Sequence, residues 1–238
     1  MKPSTLKPIV IFRHLECEGP GYLEQVLRQH QLPFDMVCID RNDPIPQNIE
    51  HCSALIFMGG PMSVNDDLPW IAQELSLIRQ AVAADLPVLG HCLGGQLISK
   101  ALGGSIGANP VKEIGWLPVS KINNDAASDW LAELPEEFTA FHWHGETFSI
   151  PEGATPILQS RDCANQGFVT GNTLALQCHV EMTKEMVQEW TKLHAHEIRE
   201  TSATIQSATE MTTEIDDKIA ALQVQADRLY RRWLRPLM

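Results

Sequence analysis

The chain has little with which to hold a polyanion. Its 238 residues carry 18 Lys and Arg against 30 Asp and Glu, a formal charge of -12, and no basic cluster offsets that balance locally. An extended phosphate backbone would meet net repulsion, so nucleic acid is not an expected partner. Long hydrophobic runs are missing as well. From Met1 to Phe12 there are two lysines and one short apolar stretch, Pro8 to Phe12, with no small-residue cleavage site behind it. Neither a membrane nor the secretory route is therefore expected. The six cysteines, at 17, 38, 52, 92, 163 and 178, form no C-x-x-C pair and lack the density of a disulfide scaffold. A reducing cytoplasm is the natural setting. There is no internal repeat and no low-complexity segment, and a single α/β domain over residues 1–238 is expected.

What is present is an alternation of strand-like and helix-like runs. Pro8 to Phe12, Phe34 to Ile39, Ala54 to Met58 and Pro87 to Gly90 read as buried strands of a mostly parallel sheet. Between them, Leu23, Val26, Leu27 and His30 share one helical face, and Ile71, Leu75, Ile78 and Val82 share another. A helix is expected after Cys92, through Lys100, ended by Gly103 and Gly104. The second half predicts a mixed β extension with short strands at Trp116 to Ser120, Thr139 to Trp143, Pro156 to Gln159, Gly167 to Thr170 and Leu174 to Gln177. Two helices close the chain, about Thr183 to Arg199 and about Ala208 to Leu234. The second carries an apolar stripe of Met211, Ile215, Ile219, Leu222, Ala226, Leu229 and Trp233. Packing on its own domain is the plain reading of that stripe, and a homodimer seam the sharper one.

One cysteine has a turn built around it. In Leu89-Gly90-His91-Cys92-Leu93-Gly94-Gly95-Gln96, Cys92 lies between glycines, after a strand and before a helix. That is the pattern of a nucleophile elbow, in which a tight turn holds a reactive side chain clear of the sheet edge. The helix N-terminus favours thiolate over thiol, and a structural buried thiol is the alternative. His91 is expected to be structural and turned away from Cys92. Downstream, His179 and Glu181 stand two apart at a strand end, so that a carboxylate can orient its neighbour's imidazole as base. The glycines of Met58-Gly59-Gly60-Pro61 reach the same carboxyl edge and can bring backbone N–H groups to a substrate oxygen, with the Leu93 N–H as a second donor. Gln96 either touches a polar substrate or is an early-helix polar residue. Phe141-His142-Trp143-His144-Gly145-Glu146 reads as a pocket wall, with an ordinary turn as the alternative. A metal held by His142, His144, His179 and Glu181 would need the soft Cys92 to be silent, and no metal-ligand spacing supports it, so neither a metal nor a cofactor is expected.

Taken together, the loop at Gly59 to Pro61, the elbow at Gly90 to Gln96 and the Gln177-x-His179-x-Glu181 run resemble class I glutamine amidotransferases, in family order and over most of residues 8–200. The chain is most similar to stand-alone relatives of the amidotransferase domain of GMP synthetase, in which Gly59 to Val64, Glu113 to Trp116 and Phe141 to Gly145 also have counterparts. The resemblance implies a flavodoxin-like, mostly parallel α/β sheet. It implies a Cys92-His179-Glu181 triad, an oxyanion hole from the Gly60 and Leu93 amides, and substrate contacts from Gly59, Gln96, Trp143, His144 and Gly145. Cys178, Val180 and His91 depart from the usual phenylalanine, proline and aliphatic residue. Nothing like a synthetase phosphate loop is present, so any use of the ammonia would fall to a separate synthetase.

The expected reaction is hydrolysis of the glutamine side-chain amide through a thioester on Cys92. A γ-glutamyl peptide such as glutathione is the alternative substrate. An α/β-hydrolase with cysteine for serine would place its acid before the histidine, against the order here. A non-catalytic module that binds a partner through the C-terminal stripe is the reading from outside enzymology.

Overall fold

Strand residues alternate between two apolar layers, and that alternation builds the sheet. In the computed structural model, which describes residues 6–238, Ile9 and Ile11 of β1 (Ile9–Arg13) enter one buried cluster while Val10 and Phe12 enter the other. The reading of Met1–Thr5 within an untargeted N-terminus lies outside the described residues. Helix α1 (Tyr22–Gln29) buries Leu23, Val26 and Leu27, whereas His30, expected on the same face, is exposed and caps the helix. Then come β2 (Phe34–Cys38), β3 (Ala54–Phe57), α2 (Pro69–Ala83), β4 (Val88–His91) and α3 (Leu93–Ala101). All four strands pair in parallel in the order β2-β1-β3-β4. Pro69 opens α2 at its first helical position, where its missing N–H has no partner to lose. The buried stripe of α2 runs through Ile71, Glu74, Leu77, Ile78 and Ala81, so an acid is turned inward and Leu75 and Val82 are only partly covered.

The second half extends and closes this sheet through β5 (Ile106–Lys121), α4 (Asp125–Trp130), β6 (Glu137–Phe148), β7 (Thr155–Gln159), β8 (Gly167–Thr170) and β9 (Thr173–Leu176). Among the described residues the order is β2-β1-β3-β4-β9-β8-β7-β5-β6. β9 returns to lie parallel beside β4, and the remaining pairings are antiparallel, as the mixed extension predicts. Strands β5 and β6 are longer than their apolar segments suggest. Their pairing shifts register between Ala108 and Glu113, and most of β5 before Glu113 is solvent-facing, so apolar alternation marks only the part that covers the core.

The C-terminal helices differ from expectation in two places. Helix α5 (Lys184–Leu193) stops at His194 rather than running to Arg199. The expected helix from Ala208 to Leu234 is two helices, α6 (Ala208–Thr212) and α7 (Ile215–Trp233), separated at Thr213 and Glu214, where Glu214 adopts φ +51°. Every residue of the apolar stripe, from Met211 to Trp233, is buried in the core shared with β1 and α1. The dimer-seam reading of the stripe is thus corrected: it packs on its own domain. Each large side chain so buried contributes roughly 1.5–3 kcal/mol, and Trp233 Nε1 also donates to the Val88 carbonyl at 3.1 Å. No helix among the described residues is long and apolar enough to cross a membrane.

Candidate active site

The carboxyl ends of β1, β3, β4 and β9 meet at one edge, and the candidate residues stand there. Cys92 joins β4 to α3 with φ +50° and ψ -109°, a strained turn for a residue with a Cβ. Its N–H is anchored to the Leu176 carbonyl of β9 at 2.8 Å. The glycines around it are required by packing. A Cβ on Gly94 would overlap the Phe57 carbonyl, and one on Gly90 would overlap the backbone of Gly94. The elbow can therefore sit directly on the sheet only with glycine at both places.

His179 follows β9 and bonds Phe141 of β6 through backbone N–H and carbonyl, at 2.8 and 3.2 Å. Its Nδ1 lies 2.6 Å from Oε1 of Glu181, and Trp190 of α5 packs edge to face on its ring at 5.0 Å. Nε2 is buried and makes no full hydrogen bond. Burial opposes a charge on this imidazole, yet Glu181 and the Cys92 sulfur beside it outweigh that cost and raise it well above the usual histidine range. Glu181 is buried too, but His91 and His179 overcome the desolvation and hold its carboxyl down at about 2. Cys92, His179 and Glu181 are thus brought together, with charge favoured on both the imidazole and the carboxylate.

His91 is fully buried and is more than packing. Its Nδ1 lies 3.2 Å from Oε2 of Glu181, and its Nε2 lies 3.2 Å from the Tyr230 hydroxyl of α7. Burial, with His179 nearby, keeps this ring below its ordinary pKa and so neutral. Tyr230, whose hydroxyl is held protonated by burial, donates to Nε2, which leaves the His91 N–H on Nδ1 facing Glu181.

The glycine loop after β3 is held by a pair that spacing does not signal. His14, at the end of β1, bonds the Met58 carbonyl through Nδ1 at 3.0 Å and Glu74 through Nε2 at 3.0 Å. This fixes Gly60 over α3, where an added Cβ would stand 2.7 Å from Leu93 Cδ2 and 3.1 Å from His14 Cβ. Leu93 opens α3, and the first N–H groups of a helix have no intrahelical acceptor. Gln177 joins the elbow as well, donating to Cys92 Sγ at 3.5 Å while accepting from Gln96 at 3.2 Å. The Cys92 thiol is within reach of the Trp143 carbonyl at 3.9 Å.

A cavity of about 150 Å³ opens over Cys92, and Gly60, Gln96, Trp143, His144 and Gly145 line it. Gly59 lies behind this wall, against Glu18 and His179. Trp143 Nε1 donates to Glu197 at 3.2 Å, and Lys112 pairs with the same carboxylate at 2.8 Å. Glu18, from the loop after β1, also lines the cavity. It is 7% exposed and makes no ion pair, and burial raises its carboxyl to about 7 although His179 and His14 nearby oppose the shift. Position alone could have pointed to Glu18, since the loop after a parallel strand ends at the same edge as the elbow.

The four residues that a metal would need are not assembled as a ligand set. His142 is buried, its ring neutral because burial lowers it to about 3, and neither ring nitrogen has a partner. Glu113, His144 and Cys163 do bring donor atoms within 4.8 Å of one another. Those donors are already engaged, Glu113 with His144, Ser160 and Gln166, and Cys163 with Thr147.

The family model described as glutamine amidotransferase class-I matches residues 21–198. The glutamine amidotransferase-like protein YfeJ of Salmonella typhimurium is 34% identical over 152 residues, which is 61% of this chain and 64% of that protein. The glutamine-hydrolysing GMP synthase of Bacillus subtilis is 33% identical over 112 residues, 47% of this chain and 20% of that one. The chain thus spans less than two thirds of the length of these curated relatives. A crystal structure of a glutamine amido transferase from Methylobacillus flagellatus superposes with a TM-score of 0.93 at 43% identity, covering 97% of this chain and 95% of that one.

Proposed function

This chain belongs to the class-I glutamine amidotransferase family, and on that premise we propose that it hydrolyses the side-chain amide of glutamine to glutamate and ammonia. The observation that carries the reading is the convergence of Cys92, His179 and Glu181 at one sheet edge, buried and under a small cavity. Cys92 gives up its proton to His179, and the thiolate attacks the amide carbon. The oxygen that gains the electron pair is received by the N–H groups of Gly60 and Leu93. As the tetrahedral intermediate collapses, the C–N bond breaks and His179 returns the proton to the leaving nitrogen, so ammonia departs and a γ-glutamyl thioester remains. Water, deprotonated by His179, then attacks the same carbon, and the C–S bond breaks to restore Cys92 and release glutamate. Glu181 stabilises the imidazolium in both halves. Gln96, Trp143, His144 and Gly145 surround the substrate, and a separate synthetase is the proposed consumer of the ammonia. The thiolate must stay reduced, which suits the cytoplasm.

Rapid mixing with glutamine, acid quenching and peptide mass analysis test this reading. The peptide containing Cys92 should gain the mass of glutamine less ammonia. Release of glutamate with no such adduct within the first turnover, or an adduct on another cysteine, would rule the mechanism out.

A further inference from the structure

Glu18 is a buried acid with nothing to hold it. No hydrogen bond or ion pair reaches its carboxylate among the described residues, although it is 7% exposed and lines the cavity above Cys92. A carboxylate so placed for packing alone would cost free energy without return. Its position is nevertheless fixed from both sides. The Tyr22 N–H donates to the Glu181 carbonyl at 2.8 Å, and Trp190 Nε1 donates to the Cys17 carbonyl at 2.9 Å. Gly59 makes room for it: a Cβ there would overlap Glu18 Oε2 and stand 3.2 Å from His179 Cε1. The carboxylate and the imidazole thus face each other across the width of one methyl group.

This location has a direction within the proposed reaction. With the amide oxygen at Gly60 and Leu93, the leaving nitrogen must face His179 Nε2, the atom bonded to Cε1. Glu18 therefore borders whatever that nitrogen carries. The fixed charges of the wall have the same sign. Glu146 and Glu197 also line the cavity, no Lys or Arg does among the described residues, and Lys112 just behind is already paired with Glu197.

We propose that Glu18 is a specificity-determining residue that selects γ-glutamyl amides whose leaving amine carries no carboxylate. The inference rests on the reaction proposed above, and it separates glutamine from glutathione-like peptides by charge. A peptide leaving group would bring its terminal carboxylate against Glu18 with no Lys or Arg in the wall among the described residues to receive it, and the nearest imidazole, His179, is already paired with Glu181. Ammonia brings no such charge, and an amine bearing a positive charge would be attracted.

A matched pair of substrates tests it. γ-Glutamyl-propylamide and γ-glutamylglycine have leaving groups of nearly equal size and differ by one carboxylate. At pH 8.5, where Glu18 is ionised, the wild-type chain should favour the propylamide in kcat/KM by about tenfold or more, and Glu18→Gln should shrink that ratio by about threefold or more. Equal or better use of γ-glutamylglycine by the wild type, or an unchanged ratio in Glu18→Gln, would overturn the proposal while leaving the glutaminase reading intact. Dissociation constants of the same two compounds, measured by calorimetry on the Cys92→Ala chain, read the selection independently of turnover. Tighter binding of the propylamide supports the role of Glu18, and equal binding or none of either overturns it. A chain that binds with this preference yet cleaves neither compound nor glutamine would instead remove the reaction.

Discussion

His91 Nδ1 lies 3.2 Å from Oε2 of Glu181, the carboxylate oxygen that His179 leaves free. Glu181 is therefore flanked by two imidazoles, hydrogen-bonded to His179 and in close approach to His91 without a full hydrogen bond. Because its other ring nitrogen meets Tyr230, His91 links the C-terminal helix to the candidate triad through side chains that are all buried. A leucine at position 91 would fill the same space but leave Oε2 alone in a low-dielectric site.

His91→Leu should lower kcat for glutamine by severalfold to about tenfold with little change in KM, since it removes the electrostatic support that His91 gives the Glu181 carboxylate at 3.2 Å. It also strands the Tyr230 hydroxyl, so the double variant His91→Leu/Tyr230→Phe should regain thermal stability without regaining kcat. Steady-state kinetics with thermal melts of both variants check this. A single variant with wild-type kcat would show that Glu181 needs only His179.

Gly94→Ala should destabilise the fold by about 3 kcal/mol or more, because the new Cβ overlaps the Phe57 carbonyl and backbone cannot yield cheaply. Gly107→Ala is the control. A Cβ there meets nothing within 4 Å and φ is not in the left-handed region, so its effect should stay within about 0.5 kcal/mol. Urea unfolding of the two variants gives the comparison.

Local patterns are legible in the sequence, and long-range pairs are not. The elbow can be read because Gly90, Cys92 and Gly94 are adjacent and their backbone demands are local. The four parallel strands can be read because each is a short apolar run. Glu74 cannot, since a helix face with Leu75 and Val82 looks better until His14, sixty residues away, supplies a partner for the acid. The break at Glu214 is hidden because Met211 and Ile215 keep helical spacing across it, and both remain in the core. His91 reads as merely structural because its partners, Glu181 and Tyr230, lie far along the chain.

Glu18 makes stability fall as pH rises. Its folded pKa of about 7 stands above the ordinary value of 4.5, so between these pH values the native state binds more proton than the unfolded chain. The native state therefore loses up to about 3 kcal/mol across that window from this group. His179, His14 and Glu181 face Glu18 in the wild type and the variant alike, so the readout is a difference. Glu18→Gln should be close to wild-type stability at pH 4.5 and more stable than wild type at pH 8, by urea unfolding. An equal offset at both pH values would show that the carboxyl ionises freely.

Removing residues 214–238 should abolish folding rather than alter assembly. The deletion takes away Leu222, Leu229, Tyr230 and Trp233, each 0–1% exposed, together with the Trp233 bond to Val88. Loss of the cooperative thermal transition is the expected result. A folded, truncated chain would mean that the helix is an appendage.

Glutamine turnover by Cys92→Ala tests the account most directly. The substitution removes only a sulfur, in a turn whose backbone is fixed by its own glycines and by the Leu176 bond, so the fold should persist by circular dichroism. Glutamate release should fall by about 10³-fold or more, the loss expected when a nucleophile is taken from a coupled triad. Wild-type turnover by the folded Cys92→Ala chain would contradict the assignment of Cys92 as the nucleophile.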